Sequence, residues 1–413
     1  MVSQEEKKIL RELAKKYAYE ASKDVNNERR ERARRINECN EDRPIVWIEE
    51  IPWNQINVNN ELTLLCKDSF AREMEDYFRK QLFRWKYFQA DSILEPVFTV
   101  HKSFSNSGYG LEAKENIRKI DKTNNIVSHE YIDVLKTEED IEKLKAPVII
   151  RDEEADKRNL ETANEILNGI MKVHLGGISY IYHAPWDLIA RLRGADSILL
   201  DLALRPDFMH SVIKKFTEIQ TAEIDEYIRL GLLDGYCTDL HCTPGYTKTL
   251  PGSPETGGTG NTKDMWFRQM AQLFSSVSPA MYNEFDIEYG KELQSRFGLV
   301  YYGCCEPLDN VIPYLKRIPN LRKVGASPWA NVNSCAEQLG KDYVMARKPN
   351  PALIAEKTDK EVVRKELIDT INACRANHCA FDYVLKDISS CGYNLQNLID
   401  WNDTVMKTLN EYY

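Results

Sequence analysis

The chain has 413 residues, of which 43% are hydrophobic and 29% are charged, and its formal net charge is -9. This length suits one large domain or two ordinary ones, and the composition is that of a globular protein. The net negative charge argues against a nucleic-acid partner, because phosphate backbones are bound by clustered Lys and Arg side chains.

Ten cysteines are spread along the chain, and no apolar run approaches the roughly 18 residues that a membrane span needs. The N-terminus is charged from Glu5 onward, which is not typical of a secretory signal. We therefore expect a cytoplasmic protein that makes no membrane contact. Its reduced cysteines would serve as packing residues, as metal ligands or as nucleophiles.

Helical patterns dominate the beginning of the chain. Residues 4–42 are rich in Glu, Lys, Arg and Ala with a thin apolar stripe. Residues 62–90 carry apolar side chains every three to four positions. We predict an α-helical N-terminal extension over residues 1–90, packed on a barrel that residues 91–413 form.

In that second part, short β-branched runs alternate with helical stretches, which predicts an α/β fold with a parallel sheet. About eight such units favour a (β/α)₈ TIM barrel. The alternative is a doubly wound open sheet, although the Gly-x-Gly-x-x-Gly signal of its dinucleotide-binding form is missing. The predicted strands cover residues 93–100, 147–152, 171–175, 235–241, 298–304, 322–327, 342–346 and 383–387.

A Gly- and Pro-rich segment, LPGSPETGGTGNTK, occupies residues 250–263. It is either a flexible surface connection or a lid over the barrel mouth, because it follows a predicted strand end with many polar groups. The sequence leaves both interpretations open.

Reactive side chains occur at three predicted strand ends, which is where barrel enzymes carry their active sites. At the first, strand alternation places Cys237, Asp239 and His241 on one face, so that a carboxylate and an imidazole would meet at the mouth. The alternative for this segment is a structural Asp–His pair.

The second strand end carries two adjacent thiols. Tyr302, Cys304 and Glu306 share a face if the strand persists. Cys305 joins them if the strand has already ended, which Pro307 favours. The alternative is one buried packing cysteine beside an exposed one, since cysteine is commonly buried.

At the third strand end, Cys391 follows the last predicted strand, and either Lys386 or Asp387 must point inward. A single cysteine in such a place can also be incidental. Taken together, His241, Cys304 or Cys305, and Cys391 could supply three zinc ligands, and a catalytic zinc has three protein ligands and an open position.

We assign provisional roles to the other polar and aromatic residues at these strand ends. Acid–base or electrostatic catalysis is expected from Asp239, His241, Glu306 and Lys386. A planar substrate would suit the aromatic residues Tyr236, Tyr302 and Trp329, which could equally be packing residues.

Several segments are similar to one known family. Residues 278–285, the strand into 303–308, and the stretches 184–187 and 346–352 resemble the uroporphyrinogen decarboxylase superfamily. The similarity spans roughly residues 84–405. This resemblance implies a (β/α)₈ barrel with one of two chemistries: decarboxylation of porphyrinogens without a cofactor, or transfer of methyl groups to or from a corrinoid protein.

The decarboxylase branch carries an Arg-rich signature that is missing here, since residues 43–53 read RPIVWIEEIPW. The methyltransferase branch uses a zinc site of His-x-Cys and a distant Cys. By resemblance, Cys304 or Cys305 takes the place of the first cysteine and Cys391 that of the second. No His-x-Cys is present, so His241 or Glu306 would have to substitute.

The resemblance therefore favours a zinc-assisted methyltransferase that moves a methyl group from a small donor, such as an aryl methyl ether, to cobalt. Zinc or an acid would stabilise the leaving oxygen. The corrinoid would come on a partner protein, because the Asp-x-His-x-x-Gly pattern that Asp239 begins has Pro244 in place of its Gly. A homodimer is left open.

Two other functions remain as alternatives. One is a cofactor-free decarboxylase or lyase acting on a small carboxylate, for which Arg347 and Lys348 at a strand end are the candidate inward-facing cations. The other is a non-catalytic barrel that acts as a binding or scaffold protein.

Overall fold

The structure is a computed structural model that describes residues 2–118 and 128–413. Within them, the strands are β1 Ile45–Ile48, β2 Val97–His101, β3 Phe104–Asn106, β4 Lys114–Arg118, β5 Ser128–Ile132, β6 Ile149–Arg151, β7 Lys172–Gly176, β8 Tyr180–His183, β9 Trp266–Gln269, β10 Leu299–Tyr302, β11 Leu321–Ala326, β12 Val344–Arg347 and β13 Phe381–Leu385.

The α-helices of the same residues are α1 Gln4–Ala21, α2 Asp24–Asn37, α3 Ser69–Tyr87, α4 Glu138–Ile141, α5 Glu153–Leu167, α6 Pro185–Arg193, α7 Ala195–Leu204, α8 Pro206–Arg229, α9 Pro279–Tyr282, α10 Glu288–Ser295, α11 Ile312–Leu315, α12 Val332–Leu339, α13 Lys360–Ala376 and α14 Leu395–Tyr412. A π-helical turn, Asn283–Ile287, joins α9 to α10.

A parallel sheet of seven strands, in the order β1-β13-β12-β11-β10-β9-β8, forms the centre of the α/β fold. β7 precedes β8 by a short bend and pairs in parallel with β2. In the described residues no ladder joins β2 to β1, so the predicted TIM barrel is curled but not closed. Asp91 satisfies the free edge of β1, since its backbone N–H donates to Val46 over 3.0 Å and its carboxylate accepts from the Val46 N–H over 2.8 Å.

Four predicted strands are confirmed as neighbours in this sheet, namely β10, β11, β12 and β13. Three members were missed: β1, β8 and β9. The prediction that residues 1–90 are helical is wrong at Ile45–Ile48, whose four residues are all buried and pair with β13. Residues 147–152 supply only β6, an antiparallel partner of β3 outside the main sheet.

The predicted strand 235–241 is instead part of a loop, residues 236–246, which we call the central loop. Its tip turns back sharply: Leu240 donates to the Thr243 carbonyl over 2.7 Å, and His241 and Cys242 have φ of 45° and 72°. The loop is held against one face of the sheet, the inner face, by a buried ion pair between Lys323 of β11 and Asp382 of β13. Thr243 donates to the same Asp382 carboxylate over 2.8 Å.

The Gly-rich segment 250–263 does not cover the carboxyl ends of the strands. It lies at their amino ends, where Gly298 directly precedes β10. A Cβ atom at Gly298 would be 2.1 Å from the Lys263 carbonyl oxygen and 2.6 Å from the Leu250 side chain. The interpretation of this segment as a lid over the barrel mouth is therefore wrong. The central loop, which precedes it, returns the chain from the carboxyl ends of the strands to their amino ends.

The N-terminal helices cover the β2–β7 pair. Leu10 and Tyr17 of α1 and Phe78 of α3 are completely buried in one apolar cluster with Phe98 of β2 and Ile166 of α5. Amphipathic helices gain most of their stability from such a buried face. Among the described residues, no helix combines the length and the apolar character that crossing a membrane requires.

Candidate functional site at the carboxyl ends of the strands

Two adjacent thiols lie just beyond the carboxyl end of β10. The sulfur atoms of Cys304 and Cys305 are 3.4 Å apart. Lys386, which directly follows β13, donates to the Cys304 sulfur over 3.0 Å and lies 3.7 Å from the Cys305 sulfur. The Cys305 sulfur also lies 2.8 Å from the Asp387 carboxylate. Three of the residues predicted from the sequence thus lie together.

The surroundings of Cys304 favour its thiolate form. The hydrogen bond from Cys305 lowers the pKa of the Cys304 thiol well below its usual range. The charges of Lys348 and Arg268 lower this pKa further, against the effect of burial. The same pairing raises the pKa of Cys305, which keeps its proton. Burial opposes the charge on Lys386, but the Cys304 sulfur outweighs it and raises the pKa of the Lys386 ammonium.

Two further cations reach this end of the sheet from its inner face. Arg268 of β9 is completely buried, donates to the Gly303 carbonyl over 3.3 Å and lies 5.2 Å from the centre of the Tyr301 ring. Lys348 donates to the Tyr301 hydroxyl over 2.9 Å and to the Cys304 carbonyl over 2.7 Å. The segment that carries the thiols is therefore bound by cations through both its backbone and its side chains.

Of the two cations predicted to face inward after β12, the structure places only Lys348 there. Arg347 donates to the Ser327 carbonyl over 2.5 Å and to Glu366 of α13 over 2.9 Å. It faces the helices because successive side chains of a strand point to opposite faces of the sheet.

A group of three potential metal ligands lies at the same end of the sheet. Glu50 follows β1, and His241 and Cys242 form the tip of the central loop. One ligand atom from each of these three residues lies within 4.8 Å of the others. We call them the Glu–His–Cys group. The interaction of the His241 side chain with Cys304 also lowers the pKa of the Cys304 thiol, which links the group to the thiols.

All three members of the Glu–His–Cys group have positive φ, with 51° at Glu50 beside the values given above for His241 and Cys242. This left-handed region is uncommon for residues other than glycine and occurs often at functional sites. Glu50 is fixed further by the Asp387 N–H, which donates to it over 2.8 Å, and by Lys386 at 3.6 Å. Carboxylate, imidazole and thiolate are all zinc ligands, so the donor set fits zinc.

Glu306 is buried next to the thiols, where it accepts hydrogen bonds from the surrounding backbone and from a tyrosine. Its carboxylate accepts hydrogen bonds from the backbone of Cys304 over 2.8 Å and of Ala271 over 3.2 Å, and from the Tyr282 hydroxyl over 3.2 Å. These donors occupy both oxygens, and only 1% of the residue is exposed. These hydrogen bonds fix the loop that carries the thiols, and the catalytic role of Glu306 stays a prediction.

Tyr302 points away from the inner face, so its predicted role in substrate binding is wrong. It is completely buried among the helices, where its hydroxyl donates to Asp286. The expected common face of Tyr302, Cys304 and Glu306 does not form, because β10 ends at Tyr302 and Gly303 follows with φ of 100°.

The structure also separates Tyr236 and Cys391 from the thiols. Tyr236 lies at the start of the central loop, near the amino end of β8, and lines a different cavity. Cys391 is buried against Gln55, whose side-chain oxygen accepts its backbone N–H over 2.9 Å. Within the described residues, Cys391 belongs to no group that could share a metal ion.

Asp239 and Trp329 lie in loops, and their positions differ from those expected from the predicted strands. The Asp239 carboxylate accepts the Cys242 N–H over 3.0 Å and so shapes the tip of the central loop. Burial and the nearby charge of Glu49 raise the pKa of Asp239 to about 8. Trp329 is 71% exposed on the loop after β11.

Sequence reasoning missed Glu50, Cys242, Asp187 and Tyr182. Asp187 lies in the first turn of α6, directly after β8. Burial and the charges of Glu306 and Cys304 raise its pKa to about 6. The ring of Tyr182 is 5.1 Å from the ring of His241. The sequence signal for Asp187 was the Ala-Pro-Trp-Asp stretch at residues 184–187. This stretch indicates a place at the site only if the preceding residues are recognised as a strand, β8.

No protein-family model matches the sequence, and no curated protein matches it. Among 20 matching chains of known structure is a methyltransferase from Methanosarcina mazei. It has a TM-score of 0.44 and 9% sequence identity, and the match covers 81% of this chain and 84% of that one.

Proposed function

We propose that this protein is a zinc-assisted methyltransferase that passes a methyl group from a small donor to the cobalt of a separate corrinoid protein. The observation that carries the proposal is the Glu–His–Cys group at the carboxyl ends of the strands, where the Cys304 sulfur accepts from Lys386. Three protein ligands leave a fourth zinc position for substrate, which is the arrangement of catalytic zinc sites. The corrinoid partner rests on the sequence resemblance.

Glu50, His241 and Cys242 would hold the metal. Zinc bound there would supply a Lewis acid for the oxygen atom that the methyl group leaves. The chain itself contributes charge and protons. Lys386 donates to the buried Cys304 sulfur, and Asp187, with its raised pKa, can hold a proton at the same end of the sheet. Tyr182, 39% exposed, offers an aromatic face for an aryl group.

Two measurements test the proposal together. Protein purified without chelator is expected to contain one zinc per chain by elemental analysis, and to convert cob(I)alamin to methylcobalamin in the presence of an aryl methyl ether. Cys242→Ser should lower both the zinc content and the rate. Cys335→Ser, at a buried cysteine of α12, is the matched control and should change neither. Zinc-free protein with no methyl transfer from several donors would end this proposal.

A second function is favoured by one observation. Arg268, Lys348 and Lys386 all reach the same end of the sheet, and such cations suit a small carboxylate substrate. A decarboxylase using them would release CO₂ with neither zinc nor cobalamin added. Arg268→Met should abolish that release, and an unchanged rate would exclude this alternative.

A further inference from the structure

A second cavity, of about 280 Å³, lies at the amino end of β8 and shares no residue with the thiols or the Glu–His–Cys group. Its floor is one face of the β2–β7 pair, where Thr99 and His174 are register partners and His101 follows Thr99 by two residues. Asp234 and Gly257 close its other sides. A volume near 300 Å³ is at the small end of ligand sites, so the cavity suits a small molecule.

A histidine–aspartate pair is built into this cavity. The His174 Nε2 atom lies 2.9 Å from Asp234, which also accepts the backbone N–H groups of Gly258 over 2.5 Å, Tyr236 over 3.1 Å and Gly177 over 3.2 Å. Burial would raise the pKa of Asp234, but these hydrogen bonds lower it, so the carboxylate stays charged. In the neutral form of His174, a charged acceptor at Nε2 leaves Nδ1 as the acceptor.

Glycines keep the space around His174 open. Gly257 has φ of 66°, and a Cβ atom there would be 2.4 Å from the His174 Nε2 atom. At Gly176, in β7, a Cβ atom would be 2.5 Å from the Thr99 side chain and 3.3 Å from the Asp234 carboxylate. The Gly-rich segment 250–263 therefore forms a wall of this cavity, which gives that part of the sequence a structural reason.

The charge of the lining excludes one class of ligand. Glu95 and Asp234 bring two carboxylates to the cavity, and within the described residues no Lys or Arg lines it. Glu95 is ion-paired with Arg30 over 3.4 Å, but an anion would still meet the charged Asp234 carboxylate and no Lys or Arg of the described lining. The remaining polar groups are hydroxyls and imidazoles, which form hydrogen bonds with neutral partners, and belong to Thr99, Ser179, Thr238, His101 and His174.

We propose that this cavity binds a small, uncharged molecule with several hydroxyl groups, one of which donates to Nδ1 of His174. Tyr77 and Tyr236 add aromatic surface for its C–H faces. The proposal does not depend on the methyltransferase assignment, because it involves none of that site's residues.

Binding of myo-inositol and of glucose, followed by saturation-transfer NMR and calorimetry at ligand concentrations well above about 1 mM, tests the proposal. Wild-type protein is expected to bind at least one of them. Gly257→Ala should weaken binding by about tenfold or more. Gly169→Ala is the matched control, because Gly169 also has positive φ, at 74°, but a Cβ atom there would meet nothing within 4 Å.

A histidine substitution supplies the second test. His174→Gln should reduce binding, whereas His129→Gln, on the exposed strand β5, should not. Circular dichroism verifies that each variant folds. Failure of both polyols to bind wild-type protein would overturn the proposal, and so would equal binding to wild type, Gly257→Ala and His174→Gln. Binding of ethanolamine without either polyol would identify a cation site and overturn it as well.

Discussion

Buried carboxylates in this protein differ in charge according to their individual partners. Asp286 lies behind β10, where it accepts a hydrogen bond from Gln269 over 2.7 Å and another from Tyr302. Burial outweighs these hydrogen bonds and raises the pKa of Asp286 to about 7. The folded protein therefore holds a proton on Asp286 over a pH range in which the unfolded chain has already lost it.

The free energy of unfolding of the wild-type protein, relative to that of Asp286→Asn, should fall as pH rises from about 4 to about 7. These limits are the pKa of an unfolded aspartate, about 3.9, and the pKa of Asp286 in the folded protein, about 7. In this window the folded state binds more protons than the unfolded state, so the free energy of unfolding decreases with pH. Urea unfolding of both proteins across the window measures the difference. Asp369→Asn, at an exposed residue of α13, is the control. A pH-independent difference would contradict the raised pKa.

At the scale of elements, the position of the central loop depends on an ion pair within the sheet. Lys323 and Asp382 are 2.5 Å apart and almost fully buried, with exposures of 0% and 1%. Lys323 also donates to the Thr243 hydroxyl over 3.1 Å and to the Pro244 carbonyl over 3.2 Å. The pair therefore connects β11, β13 and the loop that carries His241.

Lys323→Met should lower the free energy of unfolding by about 3 to 5 kcal/mol, because it leaves the Asp382 carboxylate buried without its partner. The double variant Lys323→Met, Asp382→Leu should recover a large part of this loss, since apolar replacement of a whole buried pair is often neutral. Chemical denaturation of the three proteins measures both effects. Equal losses in the single and double variants would show that the pair is not the cause.

At the scale of the whole molecule, the N-terminal helices pack directly against the strands. α1 packs on α3, and their apolar cluster continues into β2 and α5. Three arginines, Arg29, Arg32 and Arg43, surround the buried Asp91 that satisfies the edge of β1. The helices therefore protect the place where the ladder between β1 and β2 is open.

Removal of residues 1–42 should abolish the cooperative unfolding transition. The truncation uncovers the apolar cluster under α1 and takes two of the three arginines from Asp91. Differential scanning calorimetry of the truncated and full chains, together with binding of a hydrophobic dye, measures the effect. A truncated chain with an unchanged melting temperature and no dye binding would mean that residues 1–42 are a dispensable extension.

The sequence by itself determined the α/β class and four neighbouring strands of the sheet. Strands buried on both faces carry short runs that are mostly apolar and β-branched or aromatic, and β10 to β13 show such runs in a local pattern that can be read without any partner. The sequence also predicted that Cys304, Cys305 and Lys386 lie at one edge of the sheet, since the carboxyl ends of its parallel strands meet there. Their direct contact is a feature of the tertiary structure, because β10 and β13 are not neighbours in the sheet.

Only the tertiary structure decided which reactive groups meet at that edge. His241 and Cys242 reach this edge of the sheet on a loop that an ion pair between β11 and β13 holds in place. Glu50 reaches the edge because it follows β1, a strand in a region whose sequence predicts helices. Tyr302 faces the helices because it follows Tyr301, whose side chain lies on the inner face, by one residue within β10. The direction of a side chain at a strand end depends on contacts that are remote in sequence, and no local pattern encodes them.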